Sequence, residues 1–476
     1  MGTASAGIDE VELLIIGAGS GNSIPTPQLS ALSIAIVDDA PWFGGTCLNV
    51  GCIPTKMFVH VADVARSARD AERLGLRNVH IDVDWPAIRD RVFGRIDAIA
   101  MSGEEYRRSG EPNVSLVRES VRFTAPREVE TDSGRRIRAE RVVIAAGSRP
   151  RAHPAVPPSP RVLTSDEIMH IDALPARLAI VGGGVVAVEF AAMFEGLGVE
   201  VVQIARSTLL RDLDPELQGR FMAAAAASWE VRSETNVVAS TETADGVRLE
   251  LSDGSAVSAE LVLVAIGREP NTDRLGTEDV GFDHHPDGRL VVDRYQRVLS
   301  GGEATAGVFA LGDIDAAHQL KHVANHEARV VQANLLAGPD APEVKLVAND
   351  LAPVPSAVFS APQVAWFGET LATAEQCGFD AFEVLHEYAW TAWGWALEDR
   401  DSCCKLVVEA LTGRLLGAHI IGPDAPVLLQ PLVLAASNGM SVRGLARSQY
   451  WPHPAASEIV ENALLKAEDY LLGAVT

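Results

Sequence analysis

An apolar strand that runs into a glycine turn occurs twice in this chain, and each copy predicts a βαβ unit. The first is VELLIIGAGSGNS at residues 11–23, and the second is RLAIVGGGVVAVEF at residues 177–190. Glycines let the backbone approach a pyrophosphate, and the N-terminus of the following helix offers free N–H groups to the anion. Two later apolar strands end in Ala-x-Gly, at Gly147 and Gly267. The repetition predicts two dinucleotide-binding domains.

The first turn fits a dinucleotide that has a free ribose hydroxyl. Gly17 permits the tight turn and Gly19 the close approach to a pyrophosphate. Gly21 precedes the third fingerprint position, where Asn22 replaces glycine, so we expect looser packing between helix and strand here. Asp38 ends the next apolar strand, 21 residues after Gly17. An acidic side chain at about that spacing in the sequence can accept a hydrogen bond from a ribose hydroxyl.

The second turn differs where the ribose would lie. Gly182 and Gly184 hold the first two fingerprint positions, and Ala187 holds the third. No acid ends the following strand; Arg206 and Arg211 stand there instead, as expected for a ribose 2′-phosphate. We therefore predict NADPH rather than NADH, with two solvated surface arginines as the alternative.

A third stretch favours a flavin in the first domain. Residues 307–331, GVFALGDIDAAHQLKHVANHEARVV, predict a strand, a Gly312-Asp313 turn and a helix. An Asp at a strand end can bond a ribityl hydroxyl, and a helix N-terminus can face the electron-rich edge of a flavin. An ordinary turn is the alternative reading. Two dinucleotide domains imply two dinucleotides, and FAD with NADPH is the economical assignment.

Composition narrows the class of protein further. The length of 476 residues suggests about three domains, and the net charge of −24 argues against nucleic acid or an anionic membrane as the main partner. No apolar run approaches the ~20 residues that span a bilayer. The N-terminus, MGTASAGIDE, lacks the basic and apolar regions of a signal peptide, so we expect a reducing cytoplasm.

Two of the five cysteines, Cys47 and Cys52, have four residues between them in GGTCLNVGCIPTK at residues 44–56. Zinc would need further Cys or His ligands nearby, and only His60 is close, so we predict a redox disulfide and no metal. Residues five apart in a helix rise about 7.5 Å. A disulfide needs Cα atoms within about 4.4–6.8 Å, so the segment cannot be regular helix between the two sulfurs. A helix start nearby would lower the pKa of a thiol.

These motifs together resemble the pyridine nucleotide–disulfide oxidoreductases. GGTCLNVGCIPTK, the two glycine fingerprints, FALGD and WPHPAASE occur in the order of that family and cover nearly the whole chain. The resemblance implies FAD, NADPH, a homodimer whose active site is shared between subunits, and reduction of a small-molecule disulfide. Among the disulfides that members of the family reduce, the resemblance favours mycothione, the disulfide of mycothiol, as the substrate.

The resemblance also implies roles for individual residues. Cys52 would lie against the flavin as a charge-transfer thiolate, and Cys47 would attack the substrate disulfide. Lys56 would lie near flavin N5 and pair with Glu189. His322 would start the helix under the flavin. The further cofactor contacts that it implies are Gly45, Thr46, Gly147, Gly267, Arg268 and Asp313.

An acid–base dyad completes the implied site. His453 and Glu458 would be donated by the partner subunit, with a cis peptide between His453 and Pro454. A His near neutral pH can accept the proton of an attacking thiol and return it to the leaving sulfur.

The expected fold class is α/β: two Rossmann-like dinucleotide-binding domains, for FAD and NADPH, plus an α+β C-terminal dimerisation domain. We expect the FAD domain at residues 1–151 and the NADPH domain at 152–277. A central region completing the FAD domain follows at 278–348, and the interface domain at 349–476.

Three alternatives remain open at this point. A glutathione reductase or dihydrolipoamide dehydrogenase of the same family is the nearest enzymatic alternative, and turnover with each purified disulfide would separate these enzymes. A flavin reductase or oxidase would pass electrons to quinone or oxygen without the thiols. A non-catalytic flavin-binding interaction protein would show no reduction by NADPH.

Overall fold

The structure is a computed structural model that describes residues 8–338 and 341–473. The N-terminal segment on which the expectation about a signal peptide depends lies mostly outside the described residues. The strands are β1 (Ile8–Ile16), β2 (Ile34–Val37), β3 (Val114–Val117), β4 (Val121–Ala125), β5 (Glu128–Thr131), β6 (Arg136–Ile144), β7 (Ser148–Pro150), β8 (Val162–Leu163), β9 (Arg177–Val181), β10 (Glu200–Ile204), β11 (Glu230–Arg232), β12 (Val237–Thr243), β13 (Gly246–Leu251), β14 (Ala256–Ala259), β15 (Leu261–Val264), β16 (Arg268–Pro270), β17 (Arg297–Ser300), β18 (Glu303–Ala310), β19 (Ser356–Val358), β20 (Val364–Gly368), β21 (Ala381–Glu387), β22 (Cys403–Glu409) and β23 (Leu415–Ile421).

The α-helices are α1 (Gly45–Asn49), α2 (Cys52–Arg69), α3 (Trp85–Glu105), α4 (Val185–Gly196), α5 (Pro215–Ser228), α6 (Thr272–Leu275), α7 (Lys321–Ala337), α8 (Leu371–Gln376), α9 (Ala392–Leu397), α10 (Ala425–Ser437) and α11 (Glu458–Leu471). Within the described ranges, no helix is both long and apolar enough to cross a membrane.

The first sheet has the order β17-β18-β6-β1-β2-β3, with β4 and β5 joined beside β6. β1 pairs in parallel with β2 and β6. Its residues Leu13 to Ile16 are at most 3% exposed, so the strand is covered on both faces, which explains its unbroken apolar sequence. The carboxyl ends of β1, β2, β6 and β18 therefore meet along one edge of this sheet.

The second sheet, β11-β10-β9-β15-β8, is parallel and repeats the plan of the first. The Gly17 amide donates to Val37 at 2.7 Å, and the Gly182 amide donates to Ile204 at 2.8 Å. α4 follows the second glycine turn and is apolar on nearly every side, because it packs between this sheet and α2. The predicted internal repeat is thus present as two turns with the same hydrogen bonding.

The third sheet, β19-β20-β23-β22-β21, is antiparallel throughout. β22 and β23 pair as an antiparallel hairpin across the turn that contains Thr412 and Gly413. α10 and α11 cover this sheet, and α11 buries Ile459, Ala463 and Ala467 at helical spacing. The α/β fold class is confirmed. The domain boundaries stay a prediction.

The helix predicted after the first glycine turn is wrong. The structure has only two single 3₁₀ turns there, Gly21–Ser23 and Pro27–Leu29. Pro25 and Pro27 explain the difference, because proline lacks an N–H and disfavours helical geometry in the residue before it. The first copy is therefore a strand–turn–strand unit without a regular crossover helix directly after its glycines.

Candidate redox-active site

The thiol pair lies across a break between two helices. Cys47 is inside the short α1, and Cys52 is the first residue of α2. Val50 and Gly51 have non-helical backbone angles and separate the helices, as the sulfur geometry predicts. Cys47 is half-buried and Cys52 is exposed.

The two thiols influence each other's acidity. Interaction with Cys52 is the largest cause that lowers the pKa of Cys47 to about 7, and the charge of Lys321 lowers it further. The same interaction raises the pKa of Cys52. Near neutral pH the pair therefore holds one thiolate, which is the nucleophilic form of cysteine. Burial raises the pKa of Cys403 to about 12, so that thiol stays protonated.

The cysteine segment lies directly against the first glycine turn. A Cβ added at Gly45 would come within 2.4 Å of the Gly19 Cα atom, and Gly45 has a φ of +77°. Only glycine allows backbone to approach backbone this closely. The contact brings the thiols to the edge of the sheet where β1 ends, with Thr46 exposed beside it.

The looser packing expected at the first fingerprint is wrong. A Cβ at Gly21 would lie 2.9 Å from the Ile15 side chain, so Gly21 provides the close packing one position early. Asn22 is free for another contact: its side-chain oxygen accepts from Arg107 Nε at 2.7 Å, and its carbonyl accepts from the same guanidinium.

Asp38 lies at the end of β2 as predicted, with its carboxylate buried. Oδ2 accepts from the Ala18 amide at 2.7 Å, and Oδ1 accepts from the Ala40 amide at 3.2 Å and pairs with Arg118. Burial is the largest influence and raises the pKa of Asp38. The carboxylate thus ties the glycine turn to β2, at the position where a ribose would bind.

Asp313 follows β18 and faces the ends of β7 and β16. Its Oδ2 accepts from Ser148 Oγ at 2.6 Å, and the same hydroxyl accepts from Arg268 Nε at 2.7 Å. A Cβ added at Gly147 or Gly267 would meet no atom within 4 Å, so open space lies beside both turns. These observations fit a dinucleotide laid along this edge.

α7 begins at Lys321, one residue before the predicted start at His322. Lys321 Nζ donates to Ser20 Oγ at 2.8 Å, which joins the helix start to the glycine turn. His322 contacts the Pro355 carbonyl at 2.9 Å through Nε2. The helix N-terminus therefore faces the site, as the flavin reading requires.

The second glycine turn remains open on its outer side. Gly182 has a φ of +146°, and a Cβ there would lie 2.2 Å from the Ala265 carbonyl oxygen. No atom lies within 4 Å of a Cβ built at Gly184. Arg206 is exposed after β10, and Arg211 is exposed and lies 3.5 Å from Asp212. The turn and Arg206 fit a phosphorylated dinucleotide.

Lys56 and Glu189 lie on α2 and α4, which pack together, but no direct ion pair joins these two residues. Glu189 Oε1 accepts from the Phe359 amide at 2.8 Å, and Lys56 Nζ lies 4.3 Å from the centre of the Phe359 ring. Burial raises the pKa of Glu189 to about 7. The ion pair expected from the sequence is thus replaced in the structure by contacts of both residues with Phe359.

His453 and Glu458 form the expected dyad. His453 Nδ1 lies 2.6 Å from Glu458 Oε1, at the start of α11. The His453–Pro454 peptide is cis, as predicted. The imidazole is 71% exposed, whereas the carboxylate is 17% exposed. The second ring nitrogen is therefore available to a group outside this subunit.

Sequence reasoning missed Arg107, Ser148, Lys321 and Phe359. Ser148 follows a predicted Ala-x-Gly strand end, a signal that could have indicated it. Arg107 and Phe359 lie far along the chain from the residues that they contact, and no local pattern marks them. Lys321 stands beside the predicted His322, but its contact with Ser20 spans 301 residues of sequence.

Comparison with known proteins matches the pyridine nucleotide-disulphide oxidoreductase family over residues 11–328, and its dimerisation domain over residues 354–464. The chain belongs to this family. It is 47% identical over 466 residues to mycothione reductase of Mycobacterium tuberculosis, covering 96% of this chain and 99% of that protein. Dihydrolipoyl dehydrogenase of Chlamydia pneumoniae is 30% identical, with 96% and 97% of the two chains covered.

A solved structure shows the same fold. The HOCl-induced flavoprotein disulfide reductase RclA of Escherichia coli, as a Cu(II) complex, has a TM-score of 0.83 and 22% identity, covering 96% of this chain and 100% of that one. Family membership makes the protein an enzyme that uses FAD and NADPH. The dimerisation domain indicates a homodimer that acts on a small-molecule disulfide.

Proposed function

We propose that the enzyme reduces mycothione to mycothiol at the expense of NADPH, through Cys47 and Cys52. The identity of 47% over 96% of the chain to a mycothione reductase carries the choice of substrate. The neighbouring thiols, with the pKa of Cys47 lowered to about 7, support the chemistry. The overall reaction is NADPH, a proton and one disulfide going to NADP⁺ and two thiols.

FAD, when bound, would supply the chemistry that couples hydride transfer from NADPH to two-electron reduction of the cysteine disulfide. Cys47 then attacks as a thiolate: a bond forms between Cys47 Sγ and one substrate sulfur, and the substrate S–S bond breaks. Cys52 next gives up its proton and attacks Cys47 Sγ: the cysteine S–S bond forms, the bond between Cys47 and the substrate sulfur breaks, and that sulfur leaves as a thiolate that takes up a proton. The lowered pKa of Cys47 and the raised pKa of Cys52 favour this order, because they keep the proton on Cys52 while Cys47 reacts.

His453 of the partner subunit supplies the proton for the leaving thiolate. Glu458 holds its ring through Nδ1, so the opposite nitrogen is the one presented to substrate. The high exposure of His453 within its own subunit supports this assignment.

The cofactor sites are assigned to the edges of the two parallel sheets. The FAD site comprises Gly17, Gly19, Gly21, Asn22, Asp38, Gly45, Thr46, Lys56, Gly147, Gly267, Arg268, Asp313 and His322. The NADPH site comprises Gly182 and Gly184, with Arg206 binding the 2′-phosphate and Arg211 lying beside that phosphate.

A panel of purified disulfides tests the choice of substrate. NADPH oxidation should be faster with mycothione than with glutathione disulfide or lipoamide. Faster turnover with either of the other two would assign the enzyme to that activity instead.

Cys47→Ser separates the thiol mechanism from direct transfer to quinone or oxygen. The variant should lose disulfide reduction and keep anaerobic reduction of its flavin by NADPH. Cys377→Ser is the matched control, because Cys377 is also a free thiol, but it is exposed and lies at the end of α8. Disulfide reduction that survives in Cys47→Ser would contradict the proposal.

A further inference from the structure

Tyr450 has the most exposed side chain among the large apolar and aromatic residues that the structure describes. It lies in the segment 449–457, which joins the 3₁₀ turn Ala446–Ser448 to α11 and also carries His453. A large aromatic ring in water forgoes the free energy of burial, which is about 1.5–3 kcal/mol for such a side chain. The place of this ring, next to the acid–base dyad, points to a contact outside its own subunit.

The backbone turns Tyr450 away from its own subunit. Gln449 is extended, with a φ of −145° and a ψ of 163°. Successive side chains of an extended chain point to opposite sides. Trp451 takes the inner side: its Nε1 donates to the Ala446 carbonyl at 2.8 Å, and its ring packs against the apolar cluster that contains Ile459. The anchored tryptophan therefore holds the tyrosine on the outer side.

Tyr450 is close enough to His453 to contact the same substrate. Three residues of chain span at most about 11 Å, so the two Cα atoms lie within that distance of each other. The His453 imidazole is itself 71% exposed and faces away from its subunit. A disulfide whose sulfur meets this imidazole, and whose substituents extend further than the sulfur, comes within reach of the tyrosine ring.

The surroundings of Tyr450 fit a polar ligand better than an apolar subunit contact. The three residues before it, 447–449, are exposed and polar. α10 has the opposite pattern, since Val427 and Leu434 are exposed seven residues apart on one face of the helix, as in apolar contacts between subunits. A tyrosine offers a rigid apolar face and a hydroxyl at a low cost in side-chain entropy. That combination suits a sugar ring, which has C–H groups on its faces and hydroxyls on its rim.

We propose that Tyr450 is a specificity-determining residue whose ring stacks on a sugar ring of the disulfide bound at the thiols of the partner subunit. Each half of mycothione carries an amino sugar and an inositol beyond the sulfur on which His453 acts. The inference rests on the proposed function, because it takes mycothione as the substrate and His453 as acting across the subunit boundary.

Tyr450→Ala in the FAD-loaded enzyme tests the contact. KM for mycothione should rise about tenfold, as for loss of an aromatic side chain from a binding site. The kcat should stay within about twofold, because the ring binds substrate and transition state alike. The disulfide of N-acetylcysteine has the same sulfur substituent without the sugar, and its kcat/KM should be unchanged. Released thiol, measured at high enzyme concentration, gives this rate even when turnover is slow.

Two further variants isolate the ring. Tyr450→Phe keeps the aromatic face and should restore KM for mycothione to within about twofold of wild type. Leu411→Ala is the matched control, since Leu411 is also a highly exposed side chain of the C-terminal region but lies in the turn after β22. It should leave KM for both disulfides unchanged. Sedimentation velocity and the ratio of flavin to protein absorbance should match wild type in all three variants.

The outcomes separate this inference from the proposed function. Equal falls in kcat/KM for both disulfides, or a phenylalanine variant that behaves like the alanine variant, would overturn the sugar contact. A Tyr450→Ala enzyme that is no longer a dimer would also overturn it, because the ring would then be a subunit contact. Wild-type enzyme that does not reduce mycothione would instead overturn the proposed function, and that failure is seen before any variant is measured.

Discussion

Glu327 is a carboxyl group held inside the protein next to the predicted flavin-binding turn. It is 3% exposed, and Oε2 accepts from the Gly312 amide at 2.7 Å. Burial is the main cause that raises its pKa to about 7, with Asp313 contributing in the same direction. Asp315, also buried on this turn, has a raised pKa for the same reason. This residue pair makes the stability of the turn depend on pH.

Glu327→Gln should reduce the pH dependence of unfolding. The folded pKa lies above the ordinary value of 4.5, so the folded state holds the extra proton and stability falls as pH rises through 7. Between about pH 6 and pH 8.5 the Glu327 carboxyl lowers the free energy of unfolding by about 1 kcal/mol, and this pH-dependent decrease is absent in the glutamine variant. Denaturant unfolding of wild type and variant at one FAD concentration measures the decrease.

Glu130→Gln, at a surface carboxyl paired with Arg136, is the control and should leave the pH dependence as in wild type. Parallel pH curves for wild type and Glu327→Gln would show that Glu327 titrates at the same pH in both states.

His453→Gln should lower kcat for disulfide reduction about 10²- to 10⁴-fold, the range for loss of a general acid–base. Flavin reduction by NADPH, measured by stopped-flow, should be unchanged because the imidazole acts only on substrate sulfur. His60→Gln, an exposed histidine of α2, is the control. A proportional loss in both half-reactions would place His453 in a structural role.

At the scale of elements, the ends of β1 and β6 meet without a side chain between them. Gly17 has a φ of +103°, and a Cβ there would lie 2.3 Å from the Ala145 carbonyl oxygen, just beyond β6. The second sheet repeats this arrangement at Gly182. In each sheet, the close contact between two neighbouring strand ends therefore fixes the position of the glycine turn.

Gly17→Ala should force the turn away from β6 and weaken FAD binding. The expected readouts are a lower ratio of flavin to protein absorbance after purification and a lower melting temperature. Gly134→Ala is matched in backbone conformation, with a φ of +81°, but has open space around it. It should cost only the left-handed strain, about 1 kcal/mol, and keep its flavin. Equal flavin loss in both would mean that strain, not the collision with Ala145, matters.

Across the whole molecule, a buried lysine joins the third sheet to α5. Lys405 of β22 lies 3.2 Å from Asp214, 3.1 Å from Glu216 and 3.4 Å from Glu383. Asp214 also caps α5 by accepting from the Glu216 amide at 3.1 Å. The cluster fixes how the C-terminal sheet lies against the region that carries the second glycine turn.

Lys405→Met should destabilise the protein by about 3–5 kcal/mol, because it leaves the buried Asp214 carboxylate without its cation. Arg136→Met, which breaks an exposed pair with Glu130, should cost less than about 1 kcal/mol. Denaturant unfolding with saturating FAD compares them. A loss for Lys405→Met no larger than for Arg136→Met would show that water already screens the cluster.

The family resemblance implied the cis peptide between His453 and Pro454. The sequence by itself determined the α/β class, the duplicated glycine turns and the cysteine pair. Each depends on a local property: apolar strands, glycine conformations and sulfur geometry act over a few residues. The prediction of a helix after Gly21 was wrong although it also depended on a few neighbouring residues, because Pro25 and Pro27 disfavour helical geometry there.

Only the tertiary structure decided which groups meet. Gly21, rather than position 22, packs against β1 because Arg107 holds Asn22 from 85 residues away. Phe359 contacts both Lys56 and Glu189 because the third sheet folds back onto α2 and α4. Burial then raised the pKa values of Glu189 and Glu327, and desolvation is a property of packed neighbours that no stretch of sequence contains.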